Sequence, residues 1–142
     1  MSDSQKTVIV TGGSRGLGLA IIHDLIQKGY RIATCSRKPS AEIESLAQQH
    51  QATERFFWKA CAIGDSEQEE DFVTAVIDWT QTNPILGLIN NAGIAADGVL
   101  ATFPNRDIEQ VLDVNLTGAL RMARLVMRIL LRQASTGRII NI

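Results

Sequence analysis

The 142-residue sequence has few cysteines, few aromatic residues and no excess of either charge. Its two cysteines, Cys35 and Cys61, lack the spacing of a metal or redox motif, so we predict reduced thiols, no metal site and a cytoplasmic protein. With 14 Lys and Arg against 15 Asp and Glu, the chain has no basic excess for binding nucleic acid or a membrane surface. No apolar run approaches the ~20 residues of a membrane-spanning helix, and residues 1–6 do not have the pattern of a secretory signal.

The chain instead has the composition of one globular domain over residues 1–142, with 45% hydrophobic residues. Short apolar runs alternate with longer helical patterns. The runs are nearly continuous, which is typical of parallel strands covered on both faces, and they predict strands at Thr7–Val10, Arg31–Cys35, Arg55–Ala60, Leu86–Ile89 and Arg138–Ile142. Helices are predicted at Gly16–Lys28, Ser40–His50, Ser66–Gln81 and Asn105 to about Gln133. The alternation predicts an α/β fold with a parallel sheet.

The ends of these helices carry capping signals. Gly29 follows the first helix and suits a left-handed C-cap. Ser66 and Glu69 have the spacing of a capping box at the start of the third helix. Asn105 suits the N-cap of the long fourth helix.

A glycine-rich bend, Thr11-Gly-Gly-Ser-Arg-Gly-Leu-Gly18, joins the first predicted strand to the first helix. A diphosphate needs close approach to the backbone, which glycine permits, and a helix N-terminus whose N–H groups point at it. The spacing G-x-x-x-G-x-G differs from the usual dinucleotide fingerprint, and Leu19-Ala20 stands where a P-loop requires Lys-Ser/Thr. The bend therefore predicts a phosphate cradle; the alternative is a glycine-rich turn without a ligand.

Cations stand where a dinucleotide would place the 2′ position of its adenosine ribose. An acidic residue after the second strand would select NAD, whereas an arginine accommodates the 2′-phosphate of NADP. Here that strand is followed by Arg37 and Lys38, and Arg15 in the glycine bend would converge on the same phosphate. This pattern predicts NADP(H); the alternative is that these cations are only solvated loop charges.

A second bend, Asn90-Asn91-Ala92-Gly93, follows the fourth strand. In a doubly wound sheet the first and fourth strands are neighbours at the topological switch point, where ligands bind. The two bends are therefore predicted to lie side by side.

These segments together resemble the short-chain dehydrogenase/reductase family. The resemblance rests on the two bends, on Val114-Asn-Leu-Thr-Gly118 and on the strand Gly137–Ile142, and it covers essentially the whole chain. It implies a Rossmann-type doubly wound parallel sheet in the order 3-2-1-4-5, incomplete on its C-terminal side. With Asp97-Gly98, the segments most resemble the NADPH-dependent 3-oxoacyl-[acyl-carrier-protein] reductases of fatty acid or polyketide biosynthesis. That likeness implies reduction of a keto group, either on a small molecule or on an acyl carrier; other carbonyl substrates remain open.

The resemblance also assigns roles to single residues. Asn115 matches the family's catalytic asparagine, which holds a water in a proton relay. Asn91 would brace the sheet. Ile63 would pack on the adenine ring, although Ala62 stands where many members have an Asp that contacts adenine, and Asp65 would open the next helix. The residues expected to bind the cofactor are Gly12, Ser14, Arg15, Gly16, Leu17, Gly18, Arg37, Ile63, Asn90, Ala92 and Gly93.

The family's catalytic serine and Tyr-x-x-x-Lys motif are absent from these residues. The single tyrosine, Tyr30, has Thr34 at the fourth position after it. We therefore interpret the chain as the N-terminal portion of a longer enzyme. The alternative is a complete, non-catalytic subunit that binds a dinucleotide or a partner.

The long helix over residues 105–133 is predicted to be apolar on two sides. One side would pack on the sheet and the other on a second copy of the chain, so we expect a homo-oligomer, with coverage by a loop of the same subunit as the alternative. Four arginines, spaced three or four residues apart, lie along one face of this helix and are candidates for docking acyl carrier protein: Arg121, Arg124, Arg128 and Arg132. The alternatives are a solvated face or pairing with acidic residues across an interface.

Overall fold

A computed structural model describes residues 6–142, and its centre is a parallel sheet of five strands in the order β3-β2-β1-β4-β5. This order confirms the predicted 3-2-1-4-5 arrangement. The strands differ from the predicted bounds by at most one residue at either end, and they are β1 Thr7–Thr11, β2 Arg31–Ser36, β3 Phe56–Ala60, β4 Ile85–Asn90 and β5 Arg138–Asn141. The pattern taken to exclude a secretory signal falls mainly on residues 1–5, which lie outside the described residues.

Helices cover both faces of the sheet, because each strand carries apolar side chains on alternating sides. On one face Val8, Val10 and Ile32 pack against α1 and α2, whereas on the other Ile9 and Leu88 pack against α3 and α5. This is the doubly wound arrangement that the sequence predicts. The helices are α1 Gly16–Gln27, α2 Ala41–Gln49, α3 Ser66–Thr80, α4 Asn105–Leu112 and α5 Ala119–Gln133. No helix among residues 6–142 is both long enough and apolar enough to span a membrane.

Two of the caps predicted at the helix ends, those at Ser66 and Asn105, are wrong. Asp65, not Ser66, caps α3, and its carboxylate accepts hydrogen bonds from the backbone N–H groups of Glu67 and Gln68. Asn105 is the first residue of α4 rather than its cap, since Pro104 occupies the cap position. The prediction at Gly29 is confirmed, since this residue follows α1 with a φ of 95°.

The long fourth helix is continuous over the predicted residues but is not regular. Between α4 and α5 the backbone widens into a π-helical segment, Asp113–Gly118. A Cβ at Gly118 would lie 2.6 Å from Ile63 Cγ2 and 2.9 Å from the Asp113 carbonyl oxygen. The absence of a side chain at Gly118 therefore lets this segment approach the loop after β3.

This helix is apolar on two sides, as predicted, but residues 6–142 cover only one of them. Met122 and Val126 are fully buried against the sheet. The opposite side forms an exposed apolar stripe, which comprises Leu112, Leu116, Leu120, Met127 and Leu131.

Candidate functional site

The two predicted bends lie side by side at the carboxyl ends of β1 and β4. The Thr11 hydroxyl accepts hydrogen bonds from the backbone N–H groups of Asn91 at 3.1 Å and Ala92 at 3.0 Å. The Asn91 side-chain amide donates to the carbonyl oxygens of Thr11 and Gly12, both at 3.1 Å. Asn91 therefore braces the bends against each other, as the sequence predicts.

Glycine is required at this junction because backbone approaches backbone. A Cβ at Gly12, where φ is 71°, would lie 2.9 Å from Ala92 Cα. A Cβ at Gly18 would lie 2.3 Å from the Gly12 carbonyl oxygen. Gly16 also has a positive φ, 57°, but nothing lies within 4 Å of its Cβ position. Gly12 and Gly18 therefore allow the two bends to lie in close contact, whereas Gly16 leaves open space beside the bend.

The bend leads directly into the N-terminus of α1. The cap residue there, Arg15, has an extended backbone, and its side chain makes no capping hydrogen bond. An N-terminus without a side-chain cap presents its backbone N–H groups and the positive end of the helix dipole to an anion. Together with the space at Gly16, this fits a diphosphate.

A groove of about 790 Å³ runs along these bends. Ten of the eleven residues predicted to bind a cofactor line it: Gly12, Ser14, Arg15, Gly16, Leu17, Gly18, Arg37, Ile63, Ala92 and Gly93. A larger hollow of about 1030 Å³ lies at the opposite, amino-terminal end of the sheet, beside Ile85 and Arg138, and contains none of the predicted site residues among its described lining.

Asn90 is the eleventh, and its predicted place in the cofactor trough is wrong. Its side chain is 5% exposed and does not reach the groove. Its amide nitrogen donates to the Ala119 carbonyl oxygen at 3.1 Å and to Asn141 Oδ1 at 2.9 Å. Because side chains alternate along a strand, Asn90 and Asn91 point to different sides, and Asn90 instead ties β4 to α5 and β5.

The charges of the groove all have one sign. Arg15, Arg37 and Lys38 line it, and none of the three makes a hydrogen bond or an ion pair through its side chain within residues 6–142. Among the described lining residues there is no Asp or Glu. The groove therefore offers three uncompensated cations to an anionic ligand.

The far wall of the groove is formed by the loop after β3. Ala62 and Ile63 line the groove, and Asp65 opens α3 as predicted.

The hydrogen bond between Cys35 and Cys61, together with burial, raises the pKa of the Cys35 thiol well above its ordinary value. A protonated, buried thiol is a poor nucleophile, so Cys35 is structural. Among residues 6–142, no three His, Cys, Asp or Glu side chains cluster closely enough to hold a metal ion.

Asn115 lies in the π-helical segment beside the second bend. Its amide nitrogen donates to the Ile94 carbonyl oxygen, and its amide oxygen accepts from the Ile94 backbone N–H, both at 2.8 Å. This pair of hydrogen bonds fixes the helix against the chain that follows Gly93.

An ion pair that the sequence analysis did not predict lies behind this wall. The Glu69 carboxylate is fully buried and accepts hydrogen bonds from Arg121 Nε at 2.6 Å and from the Gly64 N–H at 2.8 Å. Glu69 raises the pKa of the Arg121 guanidinium through this bond. The position of Glu69 in the sequence indicates its burial. It precedes Phe72 and Val73 by three and four residues, which places it on the apolar face of α3.

Glycine-rich bends at the switch point of a doubly wound sheet are the arrangement of dinucleotide-binding α/β proteins. Comparison with known proteins narrows this class to one family. The chain belongs to the short-chain dehydrogenase family, since the family model described as short chain dehydrogenase matches residues 6–142.

The relatives that this chain matches include reductases. The chain is 34% identical to the ketoacyl reductase HetN of Nostoc sp. over 139 residues, which cover 96% of this chain and 47% of HetN. It is 34% identical to the 3-oxoacyl-[acyl-carrier-protein] reductase MabA of Mycobacterium tuberculosis, covering 96% of this chain and 50% of MabA. It is 32% identical to the acetoacetyl-CoA reductase of Paracoccus denitrificans, covering 96% and 54%. The chain thus spans about half the length of these relatives.

Solved structures share the fold. A short-chain dehydrogenase from Streptomyces avermitilis superimposes with a TM-score of 0.86 at 23% identity, covering 99% of this chain and 50% of that one. A SCOR enzyme from Clostridium thermocellum has a TM-score of 0.78 at 26% identity, covering 94% and 52%.

Proposed function

We propose that this chain supplies the cofactor-binding part of an NADPH-dependent oxidoreductase that reduces the keto group of a 3-oxoacyl thioester to a hydroxyl. The observation that carries the proposal is the groove beside the joined bends, with an open glycine, an uncapped helix N-terminus and three cations. The names of the relatives support the keto group and the thioester.

Different residues of the groove would bind different parts of the cofactor. The glycine bend and α1 would hold the diphosphate, Arg37 with Arg15 the 2′-phosphate, and Ile63 the adenine. The bound nicotinamide would supply the hydride. Asn115 would hold the helix and second bend in register beside the nicotinamide, because both polar atoms of its amide already bond Ile94.

Selection of NADPH is tested at Arg37. Arg37→Asp should weaken NADPH binding by about 10- to 100-fold, because a charge-assisted hydrogen bond to the phosphate is lost, and should change NADH binding little. Titration calorimetry of the intact protein with each cofactor measures both affinities. Arg128→Asp, at an exposed position on α5 outside the groove, is the control for the same change in net charge. Equal losses for NADPH and NADH would contradict a 2′-phosphate role.

The reaction is tested with the intact protein. We expect it to oxidise NADPH when a 3-oxoacyl thioester such as acetoacetyl-CoA is supplied, which is followed by the loss of NADPH absorbance. No turnover with any 3-oxoacyl thioester, diketone or quinone would contradict the proposal. Tight NADPH binding without turnover would instead support a non-catalytic dinucleotide-binding subunit.

We also propose that the exposed apolar stripe of the long helix is covered by a second copy of the chain. Leu120 is 63% exposed and Leu116 is 53% exposed, which is costly for aligned apolar side chains in water. Leu120→Glu should therefore shift the intact protein from an oligomer towards the monomer in analytical ultracentrifugation. Gln48→Glu, at an exposed position on α2, adds the same charge away from this helix and should leave the assembly unchanged. A wild-type protein that is already monomeric would overturn this proposal.

Docking of acyl carrier protein on the arginine row remains a proposal with fewer residues than predicted. Arg121 does not belong to a solvated row, because it is 21% exposed and bound to Glu69. Arg124, Arg128 and Arg132 remain exposed and are the cations that an acidic carrier would contact.

A further inference from the structure

The turn after β2 is held by a chain of two side-chain hydrogen bonds. The Ser36 hydroxyl donates to the Lys38 carbonyl oxygen at 2.7 Å. The same hydroxyl oxygen accepts a hydrogen bond from the Trp58 indole N–H at 2.9 Å. The hydroxyl has one proton and gives it to the backbone, so the indole N–H meets a lone pair and the two bonds do not compete.

Trp58 is well placed to act as the fixed end of this chain. It lies on β3, which pairs with β2 so that Trp58 is opposite Thr34, and Ser36 is therefore its diagonal neighbour. The indole is half-buried and packs against the core cluster that contains Ile32 and Phe56. Packing therefore fixes the direction of its N–H.

The turn that this chain spans contains the predicted phosphate cations. Arg37 lies between the two residues bridged by the Ser36 hydroxyl. The Arg37 and Lys38 side chains make no hydrogen bond or ion pair with the part of the chain that the structure describes. The direction of these cations into the groove therefore depends on the backbone of the turn.

From this geometry we propose that Trp58 is a positioning residue that acts through Ser36 to hold the turn of Arg37 and Lys38 for a 2′-phosphorylated dinucleotide. This inference rests on the proposed NADP(H) preference. Trp58 does not line the groove, whereas Arg37 and Lys38 do, so its role would be to set the position of these two residues.

The test is Trp58→Phe in the intact protein, which keeps an aromatic ring in the core and removes the N–H. We expect NADPH to bind about three- to tenfold more weakly, the effect of one hydrogen bond, and NADH to bind as before. Titration calorimetry with both cofactors gives the ratio of affinities, which a general loss of stability would not change. The matched control is Trp79→Phe: Trp79 stacks on Phe57, outside the groove, and its replacement should leave the ratio unchanged.

Variants of Ser36 test the same chain without disturbing the core. Ser36→Ala should lower the NADPH to NADH affinity ratio, whereas Ser36→Thr, which keeps the hydroxyl, should restore most of it. The double variant Trp58→Phe with Ser36→Ala should have the same NADPH to NADH affinity ratio as Ser36→Ala alone, because both substitutions break the same hydrogen-bonded chain.

Different results overturn different statements. If the wild-type protein binds NADPH and NADH equally, the proposed cofactor preference is wrong, and this inference with it. If the wild type prefers NADPH but Trp58→Phe keeps the wild-type ratio, or if the Trp58 and Ser36 effects add, only the positioning role is wrong.

Discussion

A valine in place of Gly16 is expected to abolish dinucleotide binding while the protein stays folded. Gly16 begins α1, lines the groove and has no atom within 4 Å of its Cβ position. The branched side chain would fill the space assigned to the diphosphate. Loss of two charge-assisted hydrogen bonds from backbone N–H groups corresponds to about 3 to 6 kcal/mol, so NADPH affinity should fall by more than about 100-fold.

The control for this variant is Gly29→Val, because Gly29 also has a positive φ but lies outside the groove. Gly29 has a φ of 95° and also has nothing within 4 Å of its Cβ position, but it lies beyond the other end of α1, outside the groove. A non-glycine residue with positive φ costs about 1–2 kcal/mol, so both valine variants should lose similar stability in urea denaturation. Only Gly16→Val should lose NADPH in calorimetry. Binding within tenfold of the wild type would contradict the diphosphate cradle.

The sequence predicts the sheet well because its pattern is local. Each apolar run is long enough for one buried strand. Because a helix connects each strand to the next, the strands are expected to run parallel in one sheet. The contact between the bends also follows from topology: once β1 and β4 are neighbours, the residues after both strands meet at one edge. The hydrogen bonds from Asn91 to the backbone of Thr11 and Gly12 are what this prediction required.

Features that depend on distant contacts are not predicted. Which of the two adjacent asparagines faces the groove depends on the pleat of β4, so Asn90 was assigned to the wrong side. The π-helical segment depends on the approach of Gly118 to Ile63, 55 positions earlier in the chain. The capping box fails partly for this reason: Glu69 is engaged by Arg121, 52 positions later in the chain, whereas the cap itself comes from the adjacent Asp65.

The largest loss of stability is expected from Glu69→Ala. The carboxylate is fully buried and accepts hydrogen bonds from two Arg121 nitrogens and from the Gly64 N–H. Removing it leaves the part-buried Gly64 N–H without an acceptor and the mostly buried Arg121 cation without its closest partner. Breaking such a pair costs about 3–5 kcal/mol, and we expect the lower part of this range because Arg121 keeps 21% exposure. Urea denaturation of the intact protein measures the change, and Glu70→Ala, at the exposed next position, is the control.

A second replacement separates the cost of an unpaired charge from the worth of the ion pair. In Glu69→Ala the Arg121 guanidinium, 21% exposed, keeps only the weaker attraction of Asp113 and Asp65, so part of the loss comes from the charge left behind. Adding Arg121→Leu removes that charge and should recover a large share of the lost free energy of unfolding. If the double variant is as unstable as the sum of both single variants, Glu69 and Arg121 are not coupled, and the loss in Glu69→Ala does not come from the ion pair. If Glu69→Ala unfolds within about 1 kcal/mol of the wild type, Glu69 does not hold the groove wall against the helix that carries Asn115.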